Sequence, residues 1–452
     1  MRLARSPASV LALFLVSAAA SAPEGGNWAQ FRGPGARGIG ASPGLPLRWS
    51  ATQNVEWKTT IPGRGWSSPI VWGDRVFVTT VVNEGGSEEP RKGLYFGGER
   101  AAPKTSHQWK VLCLDLKTGR QRWERTVHTA VPREGVHLKN SFASETPVTD
   151  GSRVYAYFGN LGLFCLDMDG KPVWELRQPP MPTKLGWGTA ASPVLHRGRL
   201  YLVNDNESKS YLQAVDAKTG RQVWRVERDE KSNWATPYVW ESGARTEIVT
   251  PGTGMVRSYD LDGKLLWWLK GMSDITIATP YAANGLLYVT SGYVGSRLRP
   301  IYAIRPGAEG DISLAPEQTS GKSVAWCNWT AAPYNPSTLV EGSRLFVLYD
   351  RALLSAYSAA DGKPLFEKER IAAEGVPGGG FTSSPWAYRG HLFCLNESGA
   401  TFVYRAGDTP ELVGANPLAE DDMCMATPAM AGDRLIIRTS ARVYCVRLKV
   451  KG

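Results

Sequence analysis

Short apolar segments alternate with polar turns along the chain, and the clearest unit runs from Cys113 to Trp123. Its pattern predicts two short strands joined by a tight turn, with Gly119 supplying the positive φ that such a turn needs. The same design recurs at 165–174, 214–224 and 258–267, and weaker copies begin at 303 and 356. Several short strands repeated every roughly 40–50 residues are typical of the blades of a β-propeller.

A second repeated pattern is a small residue and a proline, followed by a hairpin turn and an apolar strand. Proline is tolerated at the start of a strand because its missing N–H donor costs nothing there. Together the two patterns predict units of four strands, A to D. Eight A strands are expected to start near 69, 147, 193, 237, 280, 338, 385 and 428, with Thr338 in the place of proline in the sixth.

The last unit lacks a D strand, whereas an unassigned strand that contains Trp57 occupies residues 54–61 near the N-terminus. We expect 54–61 to complete the last blade, because closing the ring hides the sheet edges that an open array would expose. The predicted fold is therefore an all-β, eight-bladed β-propeller of four-stranded antiparallel blades. Its domains are a signal peptide over 1–20, an N-terminal extension over 21–53 and the propeller over 54–452.

Six of the predicted D strands carry a large aromatic residue at a fixed place in the repeat. We interpret these side chains as structural, because a flat ring on an outer strand can cover the glycine turn of the neighbouring blade. The predicted docking residues are Trp57, Trp123, Trp174, Trp224 and Trp267, with Phe366 as a substitute.

The first twenty residues have the features of a secretory signal peptide. Arg2 and Arg5 precede an apolar stretch that starts at Val10, and small residues follow it. That stretch is too short to cross a bilayer, and no cysteine follows it that could carry a lipid anchor. We expect an exported protein, periplasmic or secreted, without a transmembrane span.

The composition is that of a globular protein with a moderate positive charge. Of 452 residues, 21% are charged and 10% aromatic, and the formal net charge is +10. Because the basic residues form no long run, nucleic acid is not predicted as a partner. We expect a monomer with a protein, peptide or glycan partner.

The positions of the cysteines in the repeat favour buried packing residues over a metal or redox site. Cys113, Cys165 and Cys445 occupy a repeat position that is a small residue in other units, which predicts buried apolar side chains. A disulfide among Cys327, Cys394 and Cys424 stays open, and no Cys-x-x-Cys motif supports a zinc or redox site. No metal site is predicted.

Residues that immediately precede the A strands should line one mouth of the axial channel. They combine aromatic rings with amides and charges, which suits a peptide, a sugar or a planar cofactor, although partly buried ring-closure residues would show the same pattern. The candidate ligand-binding residues are Arg64, Trp66, Lys139, Asn140, Trp187, Asn233, Trp234, Asp274, Asn328 and Trp329, with Phe381 at the next blade.

An insertion between Thr80 and Gln108 interrupts the first unit. It contains a polar segment at 88–92 and an apolar, glycine-rich segment at 93–98. Long loops on a rigid scaffold commonly carry recognition. We interpret it as a contact loop, with a flexible surface loop as the alternative.

The repeat with Asp two residues after its first position, Gly at the turn and Trp at its end resembles the tryptophan-docking motif of pyrroloquinoline quinone (PQQ) repeat propellers. The stretches 27–34, 62–69 and 186–193 resemble an exported PQQ-like family within that group. The group includes quinoprotein alcohol dehydrogenases and the propeller lipoprotein of the outer-membrane β-barrel assembly machinery. The resemblance implies the fold, and it says little about function.

The resemblance also implies what a quinoprotein dehydrogenase would need: axial PQQ with calcium, a vicinal cysteine pair, and a Glu, Asn and Asp set. The chain has no adjacent cysteines, no Cys-x-x-Cys-His haem motif and no long insertions to cover an active site. No other catalytic motif is present. No cofactor is therefore firmly predicted, and PQQ with calcium stays the less favoured alternative. The sequence favours a non-catalytic binding or scaffold module over a PQQ-dependent oxidoreductase or an outer-membrane assembly factor.

Overall fold

Eight antiparallel sheets surround a common axis in the computed structural model, which describes residues 26–86, 88–418 and 422–448. Seven of the sheets have four strands in the order A-B-C-D, the sheet of blade 4 has a fifth strand beside its strand D, and A strands of neighbouring blades contact each other at the axis. The predicted eight-bladed propeller is confirmed. The signal peptide predicted over 1–20 lies outside the described residues.

The first four blades follow the chain without a break. Their strands A to D are Ile70–Trp72, Arg75–Asn83, His107–Asp115 and Gln121–Ala130 in blade 1; Val148–Thr149, Arg153–Phe158, Gly162–Asp167 and Pro172–Arg177 in blade 2; Val194–His196, Arg199–Asn204, Ser210–Asp216 and Gln222–Arg228 in blade 3; and Tyr238–Glu241, Thr246–Pro251, Met255–Tyr259 and Leu265–Lys270 in blade 4.

The last four blades complete the circle. Their strands A to D are Tyr281–Ala283, Leu286–Thr290, Ile301–Ile304 and Val324–Asn328 in blade 5; Leu339–Glu341, Arg344–Tyr349, Leu353–Ser358 and Pro364–Arg370 in blade 6; Trp386–Tyr388, His391–Leu395, Ala400–Arg405 and Leu412–Pro417 in blade 7; and Ala429–Ala431, Arg434–Arg438, Arg442–Val446 and Val55–Thr60 in blade 8. Two 3-10 turns, Pro34–Ala36 and Lys184–Gly186, are the helical elements of the described chain, and no helix in it is long and apolar enough to cross a membrane.

The propeller closes as predicted. Val55–Thr60 pairs antiparallel with Arg442–Val446, so the N-terminal strand becomes strand D of blade 8. Strands B and C are buried over most of their length, whereas the D strands of most blades have mainly exposed and half-buried positions. This gradient places the hydrophobic core between the blades and leaves the outer edges to solvent.

Tryptophans on the D strands link neighbouring blades. Trp57 Nε1 donates to the carbonyl oxygen of Leu116 at 2.9 Å, and a Cβ added to Gly119 would lie 2.5 Å from the Trp57 ring. Only glycine therefore fits beneath the indole at this turn. The same contacts pair Trp123 with Met168 and Gly170, Trp174 with Ala217 and Gly220, and Trp224 with Leu261 and Gly263.

Trp267 does not dock in this way, and its predicted role is corrected. It is fully buried and donates to Glu247 Oε2 of its own blade at 2.7 Å. The reason is an insertion in blade 5, whose segment Gly310–Asp311 adds a short parallel strand beside strand D of blade 4. The regular docking contact resumes with Trp326 on strand D of blade 5. Its Nε1 donates to the carbonyl oxygen of Ala359 in blade 6 at 2.9 Å, and its ring covers Gly362.

A ring of hydroxyl groups holds the A strands together around the axis. In seven of the eight blade pairs, an amide donates to the side-chain oxygen of the equivalent residue in the next blade, at 2.9–3.1 Å. We call these residues the hydroxyl ring: Ser68, Thr146, Ser192, Thr236, Thr279, Ser337, Ser384 and Thr427.

The N-terminal extension covers the face of the propeller at which the A strands end. Trp28 and Val71 exchange backbone hydrogen bonds at 2.7 and 2.9 Å, and Gly40 N donates to Ala387 O at 2.8 Å. Phe31 reaches the axis from this segment. The axial channel is therefore narrowed at one end by the chain's own extension.

All six cysteines are buried and unpaired. Cys327, Cys394 and Cys424 form no disulfide, and burial raises the pKa of Cys113 and Cys165 to about 12. A thiol with so high a pKa is a poor nucleophile. The cysteines are packing residues in this fold.

Candidate axial binding site

A cavity lies on the propeller axis, on the side of the hydroxyl ring opposite the N-terminal extension. Its outer part and its inner part each have a volume of about 150 Å³. The two parts share lining residues and form one axial cavity, with Phe31 and the hydroxyl ring at its inner end. The shared residues are Asn140, Ala190, Trp234, Ile277, Asn335, Thr382 and Met425.

The insertion of blade 1 crosses the outer mouth of this cavity. Leu94 and Tyr95 line the outer part, and we call residues 88–105 the lid. The lid packs on the axial face, and it corrects one expectation, because the chain does have an insertion that covers the axis. The insertion is visible in the sequence, but the surface on which it packs is not.

One buried carboxylate fastens the middle of the lid. Glu397, which follows strand B of blade 7 and is 1% exposed, accepts from Gly93 N at 2.6 Å and from Thr382 Oγ1 at 2.6 Å. It also pairs with Lys139, whose Nζ donates to Gly93 O at 2.9 Å. Charge-assisted hydrogen bonds in a dry environment are strong, so Glu397 acts as a latch.

Aromatic and backbone contacts fasten the other half of the lid. The Tyr95 ring stacks on His137 with centroids 5.7 Å apart, and Phe96 meets Trp187 edge-on at 5.5 Å. Trp187 Nε1 donates to the carbonyl oxygen of Gly98 at 2.7 Å. Phe96 is nevertheless 67% exposed, so the lid presents an aromatic side chain to solvent.

The walls of the cavity carry little net charge. The ammonium group of Lys139 is neutralised by Glu397, and burial, with help from nearby Lys139 and Arg100, lowers the pKa of His137 to about 4. His137 is therefore neutral at physiological pH. Burial raises the pKa of Asp350 to about 6, against the opposing effect of its hydrogen bonds from Asn335 and the Tyr334 amide.

Five of the predicted site residues line the axial cavity. Trp66, Lys139, Asn140, Trp187 and Trp234 surround it, and the three tryptophans are mostly buried by their neighbours. Trp234 Nε1 donates to Gly188 O at 2.7 Å, and Asn140 Nδ2 donates to Trp187 O at 2.8 Å. These residues both shape the cavity and join neighbouring blades.

Arg64 lies outside the cavity and holds the base of the lid. Its Nη1 donates to the Glu88 carbonyl oxygen at 2.7 Å, and its guanidinium pairs with Glu89. Phe381 is buried in the core between blades 6 and 7. These two residues support the axial face without reaching the axis.

Four predicted site residues lie elsewhere. Asn233 donates to Asp205 inside blade 3, and Asp274 is an exposed residue that accepts from Ser296 Oγ at 3.0 Å. Asn328 ends strand D of blade 5, and Trp329 packs edge-on against Tyr302 at 5.7 Å. The blade 5 insertion displaces strand D along the sequence, which made 328–329 resemble a segment before an A strand.

Sequence reasoning missed several residues of the cavity. In blade 6 the axial positions are Tyr334 and Asn335, and in blades 7 and 8 they are Thr382 and Met425. Asn335 and Thr382 each stand two residues before a member of the hydroxyl ring, as Trp66 and Trp234 do. This fixed spacing is the signal in the sequence that would have found both residues. His137 carries no such signal.

The residues present do not fit the calcium-bound quinone that the PQQ-propeller resemblance implies. The two carboxylates nearest the cavity, Glu397 and Asp350, are already saturated by protein donors. Among residues 26–86, 88–418 and 422–448, no three His, Cys, Asp or Glu side chains converge as a metal site would require. No step of a mechanism is assigned to that cofactor.

Comparison with known proteins connects the chain to two groups of propellers. A family model described as outer membrane protein assembly factor BamB matches residues 107–237 and 208–304. A polyvinylalcohol dehydrogenase from Pseudomonas sp is 21% identical over 60% of this chain and 48% of its own length. BamB from Burkholderia pseudomallei is 22% identical over 55% of this chain and 66% of its own length.

Solved structures share the fold at low identity. BamB from Moraxella catarrhalis has a TM-score of 0.54 at 11% identity, covering 83% of this chain and 99% of that one. The quinohemoprotein alcohol dehydrogenase ADHIIG from Pseudomonas putida HK5 has a TM-score of 0.57 at 12% identity, covering 95% and 81%. These comparisons confirm the predicted resemblance to PQQ-like repeat propellers. The chain spans about half to two thirds of the length of the curated relatives that it matches.

Proposed function

We propose that this chain, a PQQ-like propeller related both to BamB and to quinoprotein dehydrogenases, is an exported, non-catalytic binding module. Its binding site is the axial face, formed by the lid and the cavity beneath it. The observation that supports the proposal most directly is the lid itself, which covers an aromatic-lined cavity with Leu94 and Tyr95 and presents the neighbouring Phe96 to solvent.

The chemistry of the axial face favours recognition over catalysis. Aromatic side chains with an exposed edge are enriched where proteins bind partners, because they bury a large apolar area at low entropic cost. The titratable groups at the cavity are paired, as Lys139 and Glu397 are, or neutral, as His137 is. An acid–base catalyst needs a titratable group free to exchange a proton with substrate.

A partner protein, peptide or glycan would meet Phe96 first. Phe96 stands on the glycine-rich part of the lid, and its ring rests on the edge of Trp187. Truncating such an aromatic anchor typically weakens binding by about 2 kcal/mol or more. Membership of an outer-membrane assembly complex is one form that this function could take, since BamB relatives carry that name.

Site-specific photocrosslinking in the producing cell tests the proposal. A photoreactive phenylalanine analogue at Phe96 should give discrete crosslinked products, whereas the same analogue at Leu412, exposed on strand D of blade 7, should give none. Phe96→Ala should abolish the crosslinks of an analogue placed at Glu99. Crosslinks at Leu412 alone, or none at Phe96, would contradict an axial binding face.

A further inference from the structure

We propose that the group held in the outer part of the axial cavity is a single uncharged six-membered ring with one substituent that both donates and accepts a hydrogen bond. The inference rests on the proposed function and names the chemical class of its ligand. It follows from the size of the cavity, the charge of its walls and the polar groups that its protein neighbours leave unused.

The size of the outer part limits the group held there to one ring. That part has a volume of about 150 Å³ and is lined by Leu94 and Tyr95 of the lid and by Trp234 and Ile277 of the blades. A cavity of about this volume in another protein binds benzene. A fused tricyclic molecule would not fit in the outer part alone and would have to reach into the inner part or displace the lid.

Shape favours a flat ring. The centroids of Trp187 and Trp234 are 6.3 Å apart at an interplanar angle of 43°, and Tyr334 stands against Tyr293 at 5.3 Å. All but Tyr293 line the outer cavity. Aromatic walls contact a flat ring over its whole surface and gain from edge-to-face geometry.

Charge excludes ions. The Lys139 ammonium already has two acceptors, Gly93 O and Glu397, and the Glu397 carboxylate has three donors. Asp350 lies behind Asn335, and its oxygens accept from Asn335 and from the Tyr334 amide. An ion entering the cavity would lose its hydration without gaining a counter-charge, which is costly.

Two unused polar groups specify the substituent. Within the described chain, no hydrogen bond is present to the hydroxyl of Tyr334 or to Oδ1 of Asn335, because the Asn335 amide nitrogen is turned to Asp350. The hydroxyl can donate and Oδ1 can accept. A primary carboxamide or a hydroxyl on the ring would satisfy both groups, whereas a bare hydrocarbon would satisfy neither.

Three molecules of the same shape test the charge and polarity of the site. Benzamide is neutral, benzoate is an anion and benzamidine is a cation, and each is titrated into the purified protein by calorimetry. We expect benzamide to bind at least about tenfold more tightly than either ion, which corresponds to about 1.4 kcal/mol of desolvation cost. Equal binding of all three, or binding of none at millimolar concentration, would overturn the proposal.

Variants locate the binding. Ala190→Leu fills the cavity and should abolish benzamide binding, while Ala244→Leu on an exposed hairpin of blade 4 should leave it unchanged. Tyr334→Phe should weaken benzamide about threefold to tenfold without changing the melting temperature markedly. Benzamide binding that survives Ala190→Leu would place the ligand elsewhere and contradict the proposal.

The outcomes separate this inference from the proposed function. Photocrosslinking through Phe96 reports a partner on the axial face and does not depend on what enters the cavity. Crosslinks together with equal binding of the three ring compounds would retain the axial binding face and reject the ligand class. Selective benzamide binding without crosslinks would retain the ligand class and reject the partner at Phe96.

Discussion

The backbone amide of Thr427 donates to the side-chain oxygen of Ser68 at 3.1 Å, across 359 positions of sequence. This contact joins blade 8 to blade 1 within the hydroxyl ring. The Val55–Thr60 strand closes the propeller at its outer edge, and the hydrogen bond between Thr427 and Ser68 closes it at the axis. The walls of the axial cavity are fixed by these two closures.

Removing the hydroxyl at this closure should destabilise the propeller. In Ser68→Ala the buried Thr427 amide loses its acceptor, which should lower the free energy of unfolding by about 1–3 kcal/mol. Ser68→Thr keeps the oxygen, as four natural members of the ring do, and should stay within about 1 kcal/mol of the parent. Urea denaturation measures the free energy of unfolding of both variants, with Ser320→Ala at an exposed position as the control. If Ser68→Ala loses no more stability than that control, the role of the hydroxyl ring is contradicted.

Glycine under the docking tryptophans should resist substitution for steric reasons. A Cβ at Gly170 would lie 2.6 Å from the Trp123 ring, whereas Gly198, also at positive φ, has no atom within 4 Å of that position. Gly198→Ala should cost about 1 kcal/mol of unfolding free energy from backbone strain alone. Gly170→Ala should cost about 1–3 kcal/mol more through overpacking, and equal effects in chemical denaturation would refute the docking contact.

Loss of the latch should loosen the lid selectively. Glu397→Ala removes the acceptor of Gly93 N and the partner of Lys139, each worth more than about 1 kcal/mol. Amide hydrogen exchange over 88–105 should therefore accelerate at least about tenfold while exchange in the strands changes little. Glu411→Ala, which breaks the exposed pair with Arg405, is the control and should leave lid exchange unchanged.

Asp350 should make stability depend on pH in the direction opposite to an ordinary ion pair. Burial raises its folded pKa from 3.8 to about 6, so the folded state binds more protons than the unfolded state between pH 4 and 6. The free energy of unfolding should then fall by about 3 kcal/mol, relative to Asp350→Asn, as pH rises through that window, and stay constant above it. Denaturation at pH 4, 5, 6 and 7 checks this; parallel profiles for the two proteins would contradict it.

The fold was predictable because the blades repeat the same local sequence signals for turns and strand starts. Gly119 and its equivalents dictate the C–D turns, and each proline marks an A strand that begins one residue later in the structure. The hydroxyl before each proline was visible in the sequence but could not be assigned, because its partner lies in the next blade. A repeated Ser or Thr beside a strand start is the signal that indicates such a ring.

The site was only half predictable, and the reason is the distance between its parts. Gly93 and Glu397 are separated by 304 positions, and nothing local in either stretch indicates that the lid docks on blade 7. The insertion before Val324 shifted strand D of blade 5, so the spacing rule selected Trp329 in place of Tyr334. Trp66 and Trp234 were found because their blades have regular spacing.

Titration of the purified protein with PQQ and calcium tests whether the axial site binds its partner without quinone chemistry. Tryptophan fluorescence and the melting temperature are followed together, up to roughly 50 μM PQQ, which would saturate a micromolar site. We expect neither saturable quenching of the fluorescence nor a shift in melting temperature. Saturable quenching with a calcium-dependent rise in melting temperature, accompanied by oxidation of an alcohol, would contradict it and make the chain a quinone-dependent dehydrogenase.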